Sequence, residues 1–350
     1  MKKLFFAYPG NLDTPTGGYG YDRQIIAGLR DLGWSVELIS LGDGFPFPSQ
    51  STLAKSRDML ARLPEEALLV VDGLAFGTMA DIASALTGRL QLVALVHHPL
   101  CRETGLSPEQ SEALLDSERK ALSHANHVIV TSHATADQVM DLFGIAQASI
   151  SVILPGTEKH GRIQRSASEQ VRLLSVGTVV PRKGYDLLFS ALANLQEYDW
   201  HLDIVGGLDA DPACHAALVS SLPEHRLTER VTFHGAVAPC DLPGFYRSAD
   251  VFVLASRYEG YGMAYTEALA HGLPVIGSGG GAVEDTLPED AAIYCGIEDT
   301  ERLGSALKLL LSDPNARRDM AQAAEMAAAA LPDWRDAATR FAGALEGAEK

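Results

Sequence analysis

Short apolar runs of four to seven residues recur along the chain, separated by longer stretches in which apolar and polar positions mix. The first set is KLFFAY, WSVELIS, ALLVV, QLVALV, HVIVTS and SVIL, and the second is RLLSV, WHLDIV, VTFHG, DVFVLA, PVIGS and AAIYC. Runs this short and this continuously apolar read as strands buried on both faces of parallel sheets, with crossover helices between them. Two sets of about six strands predict an α/β protein of two doubly wound domains in place of one large sheet. Between the sets, TEKHGRIQRSASEQ follows Pro155-Gly156 and is polar without apolar periodicity, which places a linker there. From Leu303 onward the pattern is helical and closes on PDWRDAATRFAGALEGA. The expected organisation is a first domain over 1–155, a linker over 156–170, a second domain over 171–330 and a closing helix over 331–350.

Charge narrows the classes of partner. The 350 residues carry 45 Asp+Glu against 28 Lys+Arg, a formal net charge of −17. Divided after Pro155, the first part holds 11 basic and 17 acidic residues and the second 17 and 28, giving −6 and −11. That balance excludes a general affinity for nucleic acid, which needs a basic footprint. It also weakens any whole-surface attraction to anionic lipid. The opening MKKLFFAYPGN imitates a signal peptide, but its apolar run stops at Pro9-Gly10-Asn11 and reads better as a buried first strand. No apolar stretch is long enough to span a membrane. Cys101, Cys214, Cys240 and Cys295 form no C-x-x-C pair, so disulfides and zinc are not expected, and reduced thiols in a cytoplasmic protein fit best.

In open α/β sheets ligands bind outside the carboxyl ends of the strands, so chemistry is sought in the loops after the apolar runs. After the first run, Gly17-Gly18 opens a helix carrying Ile25, Ile26 and Leu29, and bare backbone there lets an anion approach free amides. A plain loop–helix turn explains the same residues equally well. After the fourth run, His97-His98 precede Pro99; neighbours on a strand point to opposite faces, so one of the two reaches the ligand side. Spacing supplies no further ligands for a zinc site, and a pair of structural histidines is the plainer reading. After the seventh run, Arg182 and Lys183 stand at a loop–helix junction beside Gly184. Two cations at a helix N-terminus are electrostatically unfavourable unless an anion is bound there, although an exposed pair would also account for them.

The fourth loop lies in DVFVLASRYEGYGMAYTEALAHGLPVIGSGGGAVED. A strand leads to a helix predicted from Met263 and ended by Gly272, with Pro274 beyond. Gly260-Tyr261-Gly262 puts backbone amides at that helix N-terminus, a cradle suited to phosphate. Glu259 lies just before it, and Glu267 one turn inside an otherwise apolar run. A carboxylate there is costly unless it accepts hydrogen bonds, and vicinal sugar hydroxyls are ligands it can accept in pairs. A surface position for Glu259, or a partner within the fold for Glu267, is the simpler alternative. Gly277-Ser278-Gly279-Gly280-Gly281-Ala282 matches a dinucleotide fingerprint, but it sits late in the second sheet with little room for a crossover helix, so no nicotinamide cofactor is expected.

Together these loops resemble the family-4 glycosyltransferases of GT-B fold, which move sugars from nucleotide-sugar donors with retention. The resemblance covers TGGYGYDRQIIAGLRDLGWSVEL, ALVHHP, ANHVIVTS with ILPGTE, VGTVVPRKG and the helix from PDWRD. Its most specific element is Glu259-x7-Glu267 within SRYEGYGMAYTEALAHGLPVI. It implies two Rossmann-like domains facing a central cleft, with the closing helix around Trp334 crossing back to the N-domain. It implies that Gly18 lets backbone approach the donor diphosphate, and that Arg182 and Lys183 neutralise it with the amides of Gly260, Tyr261, Gly262 and Met263. It gives Glu259 the donor sugar, Glu267 the ribose, Val237 the base, and His97 the reacting face. The family often has Arg where this chain has Thr178, a charge that Arg182 would supply.

The resemblance implies no obligatory metal and no cofactor, because fixed cations and amides take up the charge released on the diphosphate. It favours a UDP-sugar, with a GDP-sugar second, and a lipid or saccharide acceptor. A nucleotide-sugar epimerase and a two-lobed sugar-binding protein are the alternatives. In residues 45–63, Phe45 and Phe47 precede a short helix with Lys55, Arg57 and Arg62 beside Leu53, Leu60 and Leu63. That segment fits either weak peripheral contact with the inner face of a membrane or an amphipathic helix packed on the sheet.

Overall fold

The computed structural model describes residues 2–160 and 170–348. Most of the linker expected at 156–170 therefore lies outside the described residues. The first half of the chain runs β1 (Lys3–Tyr8), α1 (Gly17–Asp31), β2 (Ser35–Ser40), α2 (Gln50–Ala61), β3 (Leu68–Asp72), α3 (Gly73–Phe76), α4 (Ala80–Leu86), β4 (Gln91–Val96), α5 (Pro108–Leu122), β5 (His127–Val130), α6 (His133–Phe143) and β6 (Ile150–Val152). Then follow β7 (Val171–Val176), α7 (Tyr185–Leu192), β8 (Trp200–Val205), α8 (Pro212–His225), β9 (Val231–Gly235), α9 (Leu242–Ser248), β10 (Val251–Leu254), β11 (Tyr258–Glu259) and α10 (Met263–Ala270). The chain ends with β12 (Val275–Gly277), β13 (Gly280–Gly281), α11 (Val283–Thr286), β14 (Ala292–Tyr294), α12 (Thr300–Ser312), α13 (Pro314–Ala330) and α14 (Trp334–Ala348).

Two compact units result: Met1–Gly156 with Pro332–Lys350, and Thr157–Leu331. Each is built on a six-stranded parallel sheet, in the orders β2-β1-β3-β4-β5-β6 and β14-β12-β10-β7-β8-β9. Every apolar run named above is a strand. Strands such as Leu68–Asp72 and Val251–Leu254 are buried along their whole length, because helices cover both faces. The strand order reverses between β1 and β3 in the first sheet and between β7 and β10 in the second, and such reversals open the crevice in which doubly wound sheets take their ligands.

Local sequence explains the helix boundaries. Thr16 caps α1 by accepting from the Tyr19 amide, and Ser107 with Gln110 forms a reciprocal capping box at α5 behind Pro108. In α14 the residues Ala337, Ala338, Phe341, Ala342 and Leu345 make one buried face. Burying Phe341 and Leu345 contributes about 1.5–3 kcal/mol each. The small residues bring α14 close to α1: a Cβ at Gly28 would stand 2.4 Å from that of Ala338.

The helix within 45–63 settles on the first core. Ser56 and Leu60 of α2 are buried, and Leu53, Met59, Leu63 and Phe45 pack against that core, while Lys55, Arg57 and Arg62 face solvent. Its apolar side is thus already covered, as the packed-helix reading requires. No helix among the described residues is long and apolar enough to cross a membrane.

Candidate active site

In the second unit the candidate residues gather at the strand-order reversal. The chain leaving β7 turns at Pro181–Lys183 and enters α7 through Gly184, whose φ is +62°. A Cβ there would lie 1.9 Å from the Ala255 carbonyl oxygen, so only glycine lets this turn press against the end of β10. From β10 the chain runs to β11, a two-residue strand paired with β13 through Tyr258 with Gly280 and Glu259 with Gly281. The cations and the carboxylate therefore face one another across the reversal.

Glu259 is 6% exposed. Its Oε1 accepts from Lys183 Nζ at 2.6 Å and from Ser256 Oγ at 2.5 Å, and its Oε2 accepts from Arg182 Nη1 at 3.2 Å. Arg182 Nη1 also donates to the Tyr258 carbonyl at 2.9 Å. Burial alone would raise the Glu259 pKa, but Lys183 and Arg182 hold it down at about 2. The unfavourable cation pair at the start of α7 thus has its anion within the chain. The simpler alternatives, an exposed cation pair and a surface position for Glu259, are set aside by this burial.

The next turn forms a helix N-terminus. Gly262 takes φ +95°, where a Cβ would meet Tyr265 Cδ2 at 2.5 Å, and α10 begins at Met263. Tyr265 Oη donates to the Leu254 carbonyl at 3.0 Å, and Thr286 Oγ1 donates to that of Tyr261 at 2.8 Å, so Gly260–Met263 is fixed from both sides. Inside α10, Glu267 Oε2 accepts from Tyr246 Oη at 2.7 Å, and burial raises its pKa. Tyr246 in turn stacks on His271, with centroids 4.8 Å apart. Val237, in the loop after β9, packs against the core cluster that contains Tyr246, Phe252 and Tyr265. The dinucleotide-like glycines lead only into α11, four residues long, so the fingerprint has no crossover helix behind it.

The first unit holds a second group. His97 follows β4 and turns toward α1: a Cβ on Gly18 would come 3.4 Å from its Cδ2. His97 Nε2 stands 3.2 Å from Asp22 Oδ1 and 3.6 Å from Asp72 Oδ2. His98 turns elsewhere, 3.2 Å from Glu103 Oε2. Asp22 is fully buried, and its Oδ2 has no hydrogen-bond partner among the described residues. Burial by itself would lower the His97 pKa, but the two carboxylates raise it well above neutrality, and burial together with Asp72 raises that of Asp22. Sequence spacing offered His97 no companion ligands, and the fold corrects this: Asp22, Asp72 and His97 bring ligand atoms within 4.8 Å of one another, a set found only here among the described residues. A protonated imidazole already supplies one positive charge facing both carboxylates, so the donor set does not require a cation. Tyr21 sits edge-on to both His97 and Trp334, at 5.5 and 5.9 Å, and links α14 to this group.

Two family models cover the chain almost end to end. Glycosyltransferase Family 4 matches residues 23–159 and Glycosyl transferases group 1 matches 156–326, the stretch holding Arg182, Lys183, Glu259 and Glu267. The chain belongs to glycosyltransferase family 4. Over 168 residues it is 36% identical to the mannosylfructose-phosphate synthase of Agrobacterium fabrum, covering 43% of this chain and 37% of that protein. Over 319 residues it is 23% identical to an MMP alpha-(1->4)-mannosyltransferase of Mycolicibacterium hassiacum, covering 87% of this chain and 76% of that one. Among solved structures, Anabaena Alr3699/HepE in complex with UDP and glucose has a TM-score of 0.77 at 18% identity, covering 99% of this chain and 100% of that one.

In this family-4 chain, sequence reasoning missed Asp22, Asp72 and Glu118. Glu118 lies in α5, is 2% exposed, and accepts from the amides of Leu100 and Cys101 at 2.8 and 3.1 Å, fixing the turn that follows His97-His98-Pro99. Burial pushes its pKa up to about 7. A folded value above the unfolded 4.5 means that stability is full below 4.5 and falls as pH rises through 7, by about 3 kcal/mol at most. Hydrogen exchange at Leu100 and Cys101, corrected for intrinsic rates, should show protection declining over that window. Glu118→Gln should flatten the decline. An unchanged slope in the variant would assign it elsewhere.

Proposed function

We propose that the protein is a retaining glycosyltransferase moving a hexose from a nucleotide-sugar donor to a hydroxyl of a lipid or saccharide acceptor, with a UDP-sugar favoured over a GDP-sugar. The convergence of Arg182, Lys183 and Glu259 at the strand reversal, ahead of the α10 N-terminus, carries this reading. The complex of a structural neighbour with UDP and glucose supports the donor class.

The chemistry follows from charge. When the bond from the anomeric carbon to the diphosphate breaks, its electron pair stays on the phosphate oxygen. Arg182, Lys183 and the amides of Gly262 and Met263 stabilise that charge, and one preorganised donor is worth about 2.7–4 kcal/mol. The acceptor hydroxyl attacks from the same face, and its proton passes to the leaving phosphate oxygen. Ser256, Lys183 and Arg182 occupy three of the roughly four acceptor positions of the Glu259 carboxylate, which leaves about one for a sugar hydroxyl. Within the second unit, Glu267 serves the ribose and Val237 the base. Fixed cations do the work of a metal, so excess chelator should leave the rate unchanged.

The test is to offer UDP-glucose, UDP-N-acetylglucosamine and GDP-mannose with a panel of lipid and saccharide acceptors, reading products by mass spectrometry and anomeric configuration by NMR. Transfer with retention from a UDP donor is expected. Turnover from no donor would overturn the reading, and an inverted product would overturn retention.

A further inference from the structure

Arg257 is not among the residues assigned to the donor, yet it ties together the segments that carry them. Its amide donates to the Arg182 carbonyl at 2.7 Å, and its Nη1 donates to the Pro181 carbonyl at 2.6 Å. Nη1 and Nη2 grip both oxygens of Asp186, in the first turn of α7, at 2.9 and 2.7 Å. Its Nε donates to Glu298 Oε1 at 2.6 Å, and its carbonyl accepts from the Gly280 amide at 2.9 Å. Arg182 returns the contact by donating to the Tyr258 carbonyl. The turn bearing both cations is thus laced to the loop bearing Glu259 from each side. Glu298 takes φ +54°, an unfavourable backbone for a residue with a side chain, at the corner where its carboxylate meets Arg257.

Lone pairs of half-exposed charges contribute little, and Asp186 and Glu298 each retain more than half their side-chain exposure. Here one planar fork joins Pro181, Asp186 and Glu298, so its product is geometry more than stability. A displacement of about 1 Å in a group that meets developing charge can cost roughly a hundredfold.

We propose that Arg257 is a positioning residue, which through Pro181, Arg182 and Asp186 sets the guanidinium of Arg182 and the ammonium of Lys183 for a nucleoside diphosphate. This rests on the donor reading above. Lysine in its place keeps the charge but lacks the fork, so it separates position from electrostatics.

Calorimetric titration of UDP and GDP into the full chain tests the proposal without requiring turnover. Arg257→Lys should weaken binding of the preferred nucleotide at least tenfold, and Asp186→Asn about threefold to tenfold, with melting temperatures recorded alongside. In a Lys183→Ala background the Arg257→Lys loss should be clearly smaller than in the wild type, because the part exerted through Lys183 is already gone while the part exerted through Arg182 remains; a merely structural role would leave the two losses additive. Wild-type affinity in both Arg257→Lys and Asp186→Asn, or additive losses, would overturn the proposal and leave the donor reading standing. Absence of UDP and GDP binding by the wild type would overturn both. Nucleotide binding with the expected losses, but without sugar transfer from any donor, would retain the positioning role and remove only the catalytic reading.

Discussion

Lys183→Ala should lower kcat/KM for the sugar nucleotide by roughly a hundredfold to a thousandfold, with the overall fold retained. The ammonium stands 2.6 Å from Glu259 and is only 13% exposed, so solvent provides little substitute for it. The chain's net charge of −17 gives no compensating attraction for an anionic donor. With the proposed donor site, capture is expected to depend on local cations and amides and to gain little from long-range steering. Lys183→Arg should recover part of the loss, since charge is kept while the point donor becomes a fork. Initial rates of nucleotide release, measured with saturating acceptor, provide the check. A Lys183→Ala rate within twofold of wild type would remove Lys183 from the donor site.

Replacing Glu259 should produce the largest stability loss. Glu259→Ala leaves two partly buried cations facing each other without their anion, and breaking a buried pair in this way costs about 3–5 kcal/mol. The acid dependence has a definite sign. The folded pKa of about 2 lies below the unfolded 4.5, so the stabilisation is present above 4.5 and disappears as pH falls toward 2. With 1.36 kcal/mol for each unit, roughly 3 kcal/mol is lost over that window. Two units need not melt as one, so the measurement is hydrogen exchange of amides around β10 and α7. Wild type should lose protection between pH 4.5 and 2, and Glu259→Gln should begin less protected and change less. Parallel curves for the two proteins would mean that the carboxylate is not the group titrating.

These groups differ in how far the sequence reveals them. The six-plus-six rhythm of apolar runs marks every strand of the two large sheets, because parallel strands buried on both faces need continuous apolar sequence. β11 and β13 escape that rule: each has two residues, one strand is Gly280-Gly281, and pairing rests on backbone alone. The cations at 182 and 183 signal a missing anion through the helix dipole, but the dipole does not say whether that anion is a ligand or Glu259. Asp22 lies 50 residues before Asp72 and 75 before His97, and Asp72 lies 25 before His97, so only the fold brings the three together. Asp22 also looks unremarkable within a helix that exposes Gln24, Arg30 and Asp31, and only packing shows that it is buried. Glu118 is hidden the same way, on the inner side of α5.

The division of the chain also orders its synthesis. The second unit is one uninterrupted stretch, Thr157–Leu331, whereas the first draws on Met1–Gly156 and Pro332–Lys350. A ribosome that has reached Leu331 has delivered every residue of the second unit, but not the helix that covers Gly28 and the neighbouring face of α1. The part translated first is therefore the part completed last. During that interval the first unit exposes apolar surface that Phe341 and Leu345 later cover, the kind of surface chaperones bind. Loss of the last 19 residues by a premature stop or a protease would damage the unit that begins the chain, and leave the unit bearing Arg182, Lys183 and Glu259 with all of its own sequence.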